Sequence, residues 1–64
     1  MLLILPDKST RHIETAPLPL EAILLAEGIN PLEVMASRDG RLITEDTVVT
    51  NADEIRIILI SHGG

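Results

Sequence analysis

The sequence predicts an α+β fold, a mixed β-sheet packed on one helix, and three segments predict it. Met1-Leu2-Leu3-Ile4-Leu5 is an unbroken apolar run of strand length. Leu20–Glu27 consists of good helix formers, with Pro19 before it and Gly28 after it. Glu54-Ile55-Arg56-Ile57-Ile58-Leu59-Ile60 is rich in β-branched residues and is the strongest strand in the chain. Short apolar runs bounded by turn residues read as buried strands, whereas a helix shows a 3.6-residue stripe. The chain has 64 residues, enough for a single domain, which the pattern places at 1–60 with a flexible Gly-Gly tail at 61–64.

Taken in order, Pro6-Asp7-Lys8-Ser9 is turn chemistry, and Thr10–Glu14 reads as the second strand of an N-terminal hairpin. Ala16-Pro17-Leu18-Pro19 is expected to stop any sheet. Pro19 suits the first helical position, where its missing N–H costs nothing. Leu20, Ile23 and Leu24 fall on one stripe, and Glu21 in the first turn suits the helix dipole. Gly28 is the expected left-handed residue after the helix, with Ile29 making the hydrophobic contact of a Schellman motif back to Leu24. Asn30-Pro31 finishes that turn. Glu33–Ser37 is a strand, Asp39-Gly40 a type I′ hairpin turn, and Leu42-Ile43 the start of the return strand. Thr44–Thr47 is a polar turn or a short helical turn, Val48-Val49 a short apolar pair, and Asn51-Ala52-Asp53 a second turn. In the last strand Ile55, Ile57 and Leu59 share one face, and Ile58 and Ile60 make the other apolar as well. The first and last strands both read as buried on two faces, which belongs to the middle of a sheet. Pairing them side by side, with the helix across one face, gives a β-grasp: a mixed sheet gripping one helix.

Composition excludes several classes of function. A domain this short buries only about 60% of the surface of its unfolded chain, which leaves no room for two lobes with an active-site cleft between them. There is no Phe, Trp or Tyr, so no platform for stacking nucleic-acid bases exists. Ten Asp and Glu against five Lys and Arg leave a net charge of −5, which repels phosphate backbones and anionic lipid. The expected partner therefore carries a basic docking surface. The chain has no cysteine, so disulfides and thiolate metal sites are out, and a cytoplasmic setting is expected. Met1–Leu5 is too short for a signal or membrane span. Two His without ligand spacing, His12 and His62, predict no metal site.

After Ile60 the chain reads Ser61-His62-Gly63-Gly64. Paired glycines serve no packing purpose after a strand and cost the most entropy to order. Extended, four residues reach about 13 Å, and glycines pass through a channel too narrow for side chains. The Gly64 carboxylate, ionised at neutral pH, is a nucleophile that can be delivered into another protein's active site.

The element order, the Gly28-Ile29-Asn30-Pro31 turn, the Arg38-Asp39-Gly40 hairpin, the Asn51-Ala52-Asp53-Glu54 lead into an Ile-rich last strand and the final Gly63-Gly64 together resemble the ThiS/MoaD sulfur carriers, relatives of ubiquitin. The resemblance spans essentially the whole chain, and the Gly-Gly end on a β-grasp pattern is its specific part. Two positions depart from it. Ala52 stands where the family often has Gly in an Asp-Gly-Asp turn, and His62 where it often has a small residue. Length and the lack of aromatics favour the thiamine type over the molybdopterin type.

The resemblance implies a carrier, not an enzyme. An adenylating enzyme of the ubiquitin-activating type, using ATP and Mg²⁺, would activate Gly64. A sulfurtransferase or cysteine desulfurase would supply the sulfur, and a synthase would accept it from the thiocarboxylate. No cofactor would be bound stably by the chain itself. Gly63 and His62 would thread into the partner.

Ile58 and Ile60 either complete the core or, with Arg56 at the rim, form a docking patch. The acids Glu33, Asp39, Glu45, Asp46, Asp53 and Glu54 read as solvated surface, and no pair stands out as general acid and base. Two other readings stay open: a ubiquitin-like modifier joined to lysines through Gly64, and a β-grasp interaction domain whose glycines are incidental.

Overall fold

The computed structural model describes residues 1–60. Seven short strands, one α-helix and one 3₁₀ turn follow in order. They are β1 (Leu2–Ile4), β2 (Thr10–His12), β3 (Leu18–Pro19), α1 (Leu20–Ala26), the 3₁₀ turn Pro31–Glu33, β4 (Val34–Arg38), β5 (Arg41–Ile43), β6 (Val48–Val49) and β7 (Glu54–Leu59). The main sheet has the order β2-β1-β7-β4-β5. β1 runs parallel to β7, and every other neighbouring pair is antiparallel. The last strand is therefore central and lies beside the first, as the sequence predicts. The result is a mixed five-stranded sheet with one helix, a β-grasp-like α+β domain. The flexible tail predicted at 61–64 lies outside the described residues.

Local chemistry sets the ends of the elements. Gly28 (φ +76°) takes the left-handed conformation. Ile29 N–H donates to Leu24 O at 2.8 Å and Gly28 N–H to Leu25 O at 3.1 Å, the two bonds of a Schellman motif. Asp39 (φ 54°) and Gly40 (φ 78°) are both left-handed, as a type I′ turn requires, and they set Arg38 opposite Arg41. Asn30 caps the 3₁₀ turn by accepting from Leu32 N–H at 2.9 Å. That turn, unforeseen in the sequence, delays β4 to Val34.

The start of the helix differs from expectation. Pro19 is the residue before the helix, not its first residue, and is extended at ψ 143°. It belongs to a two-stranded sheet in which Leu18 faces Val49 and Pro19 faces Val48. Proline is tolerated there because an edge strand leaves one side without a ladder. The helix's exposed donors are met by the loop after β5: Leu20 N–H donates to Thr47 O at 2.9 Å and Glu21 N–H to Glu45 O at 2.8 Å. The helix ends at Ala26, with Glu27 as its cap.

The core lies between α1 and one face of the sheet. Leu20, Ile23 and Leu24 of the helix meet Leu3, Ala36, Ile55 and Ile57 of the sheet, with Met1 and Val49 closing the ends. Contrary to the expectation from sequence, β1 and β7 are not buried on two faces. Leu3, Ile55 and Ile57 are buried, but Leu2 and Ile4 are only half-buried, and Arg56 and Ile58 are exposed. One short helix covers one face; among the described residues nothing covers the other.

Candidate functional site

Directly opposed residues share a face of a sheet, so the register defines what stands on the open side. One row across the strands is Thr10, Ile4, Arg56, Ser37 and Leu42; the next pairs Ile58 with Met35. Ile60 continues the alternation, its N–H donating to Glu33 O at 3.0 Å. Ile58 is 42% exposed, Ile60 39% and Leu42 62%. These three side chains do not complete the core. With Met35 and the half-buried Ile4 they form an apolar band on the uncovered face. Grouped exposed apolar residues of this kind mark interaction surfaces more often than scattered ones do.

Arg56, expected at the rim of such a patch, stands within it, between Ile4 on β1 and Ser37 on β4. The ion pairs among the described residues are Arg11–Glu27 at 2.9 Å and Arg38–Asp53 at 3.4 Å; Arg56 takes part in neither. Nothing in the sequence singles out Met35, Ile4 and Leu42. Their signal is weak, since each is one apolar residue at an alternate position of a different strand.

Leu59 keeps the predicted face but is not buried there. It lies on the side of Ile55 and Ile57, yet it is 54% exposed. At its level β1 has already turned away: Leu5 N–H donates to Ser9 O at 2.8 Å, and Lys8 N–H to Leu5 O at 2.8 Å.

Among the acids, Asp53 is not simple surface. Its carboxylate accepts from Thr50 N–H at 2.8 Å and from Arg38 at 3.4 Å. This closes the turn before β7, in which Ala52 is accommodated with its N–H donating to Thr50 Oγ1 at 3.3 Å. Asn51 ties the same turn to the segment after β2, accepting from Thr15 N–H at 2.6 Å. Thr44 donates to Asp46 in the turn after β5. Asp7 accepts both the hydroxyl and the N–H of Ser9, at 2.6 and 2.9 Å. Those two bonds, hydroxyl first, hold its carboxyl below the usual range. All of these are turn-closing roles. His12 is an exposed residue of the edge strand β2. Among the described residues no three His, Cys, Asp or Glu come together as a metal site, and no helix is long and apolar enough to cross a membrane.

His62, Gly63 and Gly64, the expected reactive and threading residues, lie outside the described residues. Ile60, the last described residue, follows the central strand and belongs to the apolar band. No protein-family model matches the sequence, and no curated protein matches it significantly.

Proposed function

We propose that this protein is a sulfur carrier whose Gly64 carboxylate is adenylated by a partner enzyme and converted to a thiocarboxylate. One observation carries the reading. In sequence, Ser61-His62-Gly63-Gly64 comes one residue after the central strand of a β-grasp-like sheet, and that strand presents Arg56 and Ile58 on an uncovered apolar face. In this reading the activating enzyme docks on the face around Ile58, Ile60 and Arg56, and draws Gly63 and Gly64 toward its ATP.

The chemistry needs no catalytic group on this chain. A Gly64 carboxylate oxygen attacks the α-phosphorus of ATP and releases pyrophosphate, leaving an acyl-adenylate. The terminal sulfur of a persulfide, supplied by a sulfurtransferase or a cysteine desulfurase, attacks the acyl carbon, and AMP departs. A thiol then reduces the resulting acyl disulfide, leaving the thiocarboxylate on Gly64 and a disulfide between the two thiols. A synthase takes the sulfur, in a thiazole-forming pathway by preference over a dithiolene-forming one. ATP and Mg²⁺ belong to the activating partner.

Intact-mass spectrometry tests this. After incubation with an activating enzyme of the thiamine type, ATP, Mg²⁺ and a persulfide donor, the chain should show one oxygen replaced by sulfur, and deletion of Gly64 should abolish the change. An unaltered mass, with an enzyme shown to be active on its own carrier, refutes the proposal. Gly64-dependent adducts on lysines without any thiocarboxylate would assign the chain to the protein modifiers instead.

A further inference from the structure

The central strand of the sheet is paired up to its C-terminal end on one side only. β4 accompanies β7 from Ile55 to Leu59, whereas β1 accompanies it only from Glu54 to Arg56. Leu2 N–H donates to Asp53 O at 3.0 Å, and on the other side Ile60 N–H donates to Glu33 O at 3.0 Å. Odd-numbered residues of β7 therefore direct their backbone groups toward β1, and even-numbered ones toward β4. The spacing of the parallel ladder sets Ile4 N–H against Ile55 O and would next set residue 6 against Ile57 O. Residue 6 is proline and has no N–H to give. The ladder stops there, and the chain turns at Leu5 toward Ser9. Among the described residues Ile57 C=O, Leu59 N–H and Leu59 C=O have no partner on that side.

This notch has room on both faces. On the helix side lies a hollow of ≈ 460 Å³, walled by Leu5, Ile29, Val34 and Leu59 over the buried Ile57, with Asp7 and Arg11 also on its wall. On the open side lies a hollow of ≈ 370 Å³, bordered by Ile4, Ile58, Lys8 and Arg56, with no acidic residue in its lining. Lys8 and Arg56 belong to neither ion pair among the described residues.

We propose that this notch receives an extended segment of a partner protein, which adds to β7 as the strand that β1 fails to continue. Such β-addition takes its affinity from main-chain hydrogen bonds and its specificity from pockets for alternate side chains. Side chains of an added strand point alternately to the two faces. The residue facing the helix side is aliphatic, to fill the hollow over Ile57. Its sequence neighbour, facing Lys8 and Arg56, is Asp or Glu. The recognised segment thus alternates aliphatic and acidic residues. The site shares Arg56 and Ile58 with the face proposed to dock the activating enzyme, but it does not depend on the chemistry at Gly64.

The probe is a panel of short, end-blocked peptides in which Val, Ile or Leu alternates with Glu, titrated into the ¹⁵N-labelled full chain and followed by NMR. The expected result is saturable shifts at Leu5, Ile29 and Ile57–Leu59, with slowed hydrogen exchange at the Leu59 amide. Peptides with Lys in place of Glu should bind roughly tenfold more weakly, and the double variant Lys8→Glu/Arg56→Glu should reverse that preference. Four outcomes overturn the proposal. One is the absence of a saturable shift from any peptide of the panel at about 1 mM. Another is undiminished binding by peptides N-methylated along the pairing edge. A third is shifts confined to Met35 and Leu42. The last is slow Leu59 exchange already present without peptide, which would assign the notch to a second copy or to the chain itself.

Discussion

Single residues with special backbone or hydrogen-bonding roles can be tested one at a time. Gly28 is left-handed, and a Cβ built on it meets nothing within 4 Å. The cost of Gly28→Ala is therefore conformational and not steric. It should destabilise the domain by about 1–2 kcal/mol, read as a lower denaturant midpoint at unchanged slope. Asp7 gives a pH signature. Its carboxyl is held below the usual range by the Ser9 hydroxyl and N–H. A depressed carboxylate contributes stability above its unfolded pKa and loses it as pH falls through the folded value. An NMR titration should find Asp7 ionised at pH values where ordinary aspartates are half protonated, and Ser9→Ala should move its midpoint back up. Because Asp7 is fully exposed, the acid limb of overall stability should hardly change. The capping glycine was legible in the sequence because a left-handed position after a helix is a local demand. The bonds of Asp7 were not, since turn residues of that composition close in several ways.

At the scale of elements, β7 carries two kinds of side chain in alternation. Ile57 is buried under the helix while its neighbour Ile58 faces out. Ile57→Ala should cost about 2–5 kcal/mol, as deletion of a buried aliphatic side chain does. Ile58→Ala should cost less than about 1 kcal/mol, the range of surface changes. Chemical denaturation of the two variants checks this, and equal losses would mean that the open face is covered. The run Ile57-Ile58-Leu59-Ile60 reads as apolar throughout, so sequence pattern alone shows a doubly buried strand. The difference arises because α1 is seven residues long and spans one face only. Likewise Pro17 and Pro19 conceal the short strand β3, whose pairing with Val48-Val49 depends on a segment distant in sequence.

For the whole molecule, the nine buried side chains of the described core run from Met1 to Ile57. If the chain is the sulfur carrier proposed above, deleting Gly63-Gly64 should leave the melting temperature unchanged while abolishing adenylation, measured as ATP–pyrophosphate exchange. Arg56→Glu and Ile58→Asp should act in the reverse sense. With folding retained by circular dichroism, they should raise the KM of activation with little change in kcat, the mark of lost binding common to ground and transition states. A rise in neither variant would remove the open face from the docking interface. An acidic molecule with a guanidinium set among apolar side chains favours a partner that is basic overall but offers a carboxylate to that face.

The sequence by itself determined the order of the main elements, the helix stop at Gly28, the turn at Asp39-Gly40 and the central pairing of the first and last strands. These rest on local turn and capping chemistry and on apolar runs that only a middle strand accommodates. Only the tertiary structure decided which face of the sheet is covered, that Arg56 stands among aliphatic side chains, and that Pro6 ends the β1–β7 ladder two residues short of Ile58. Each of these depends on the register between segments far apart in the chain, where one residue's shift exchanges the faces, and that register is set by how a short helix fills one side of the sheet.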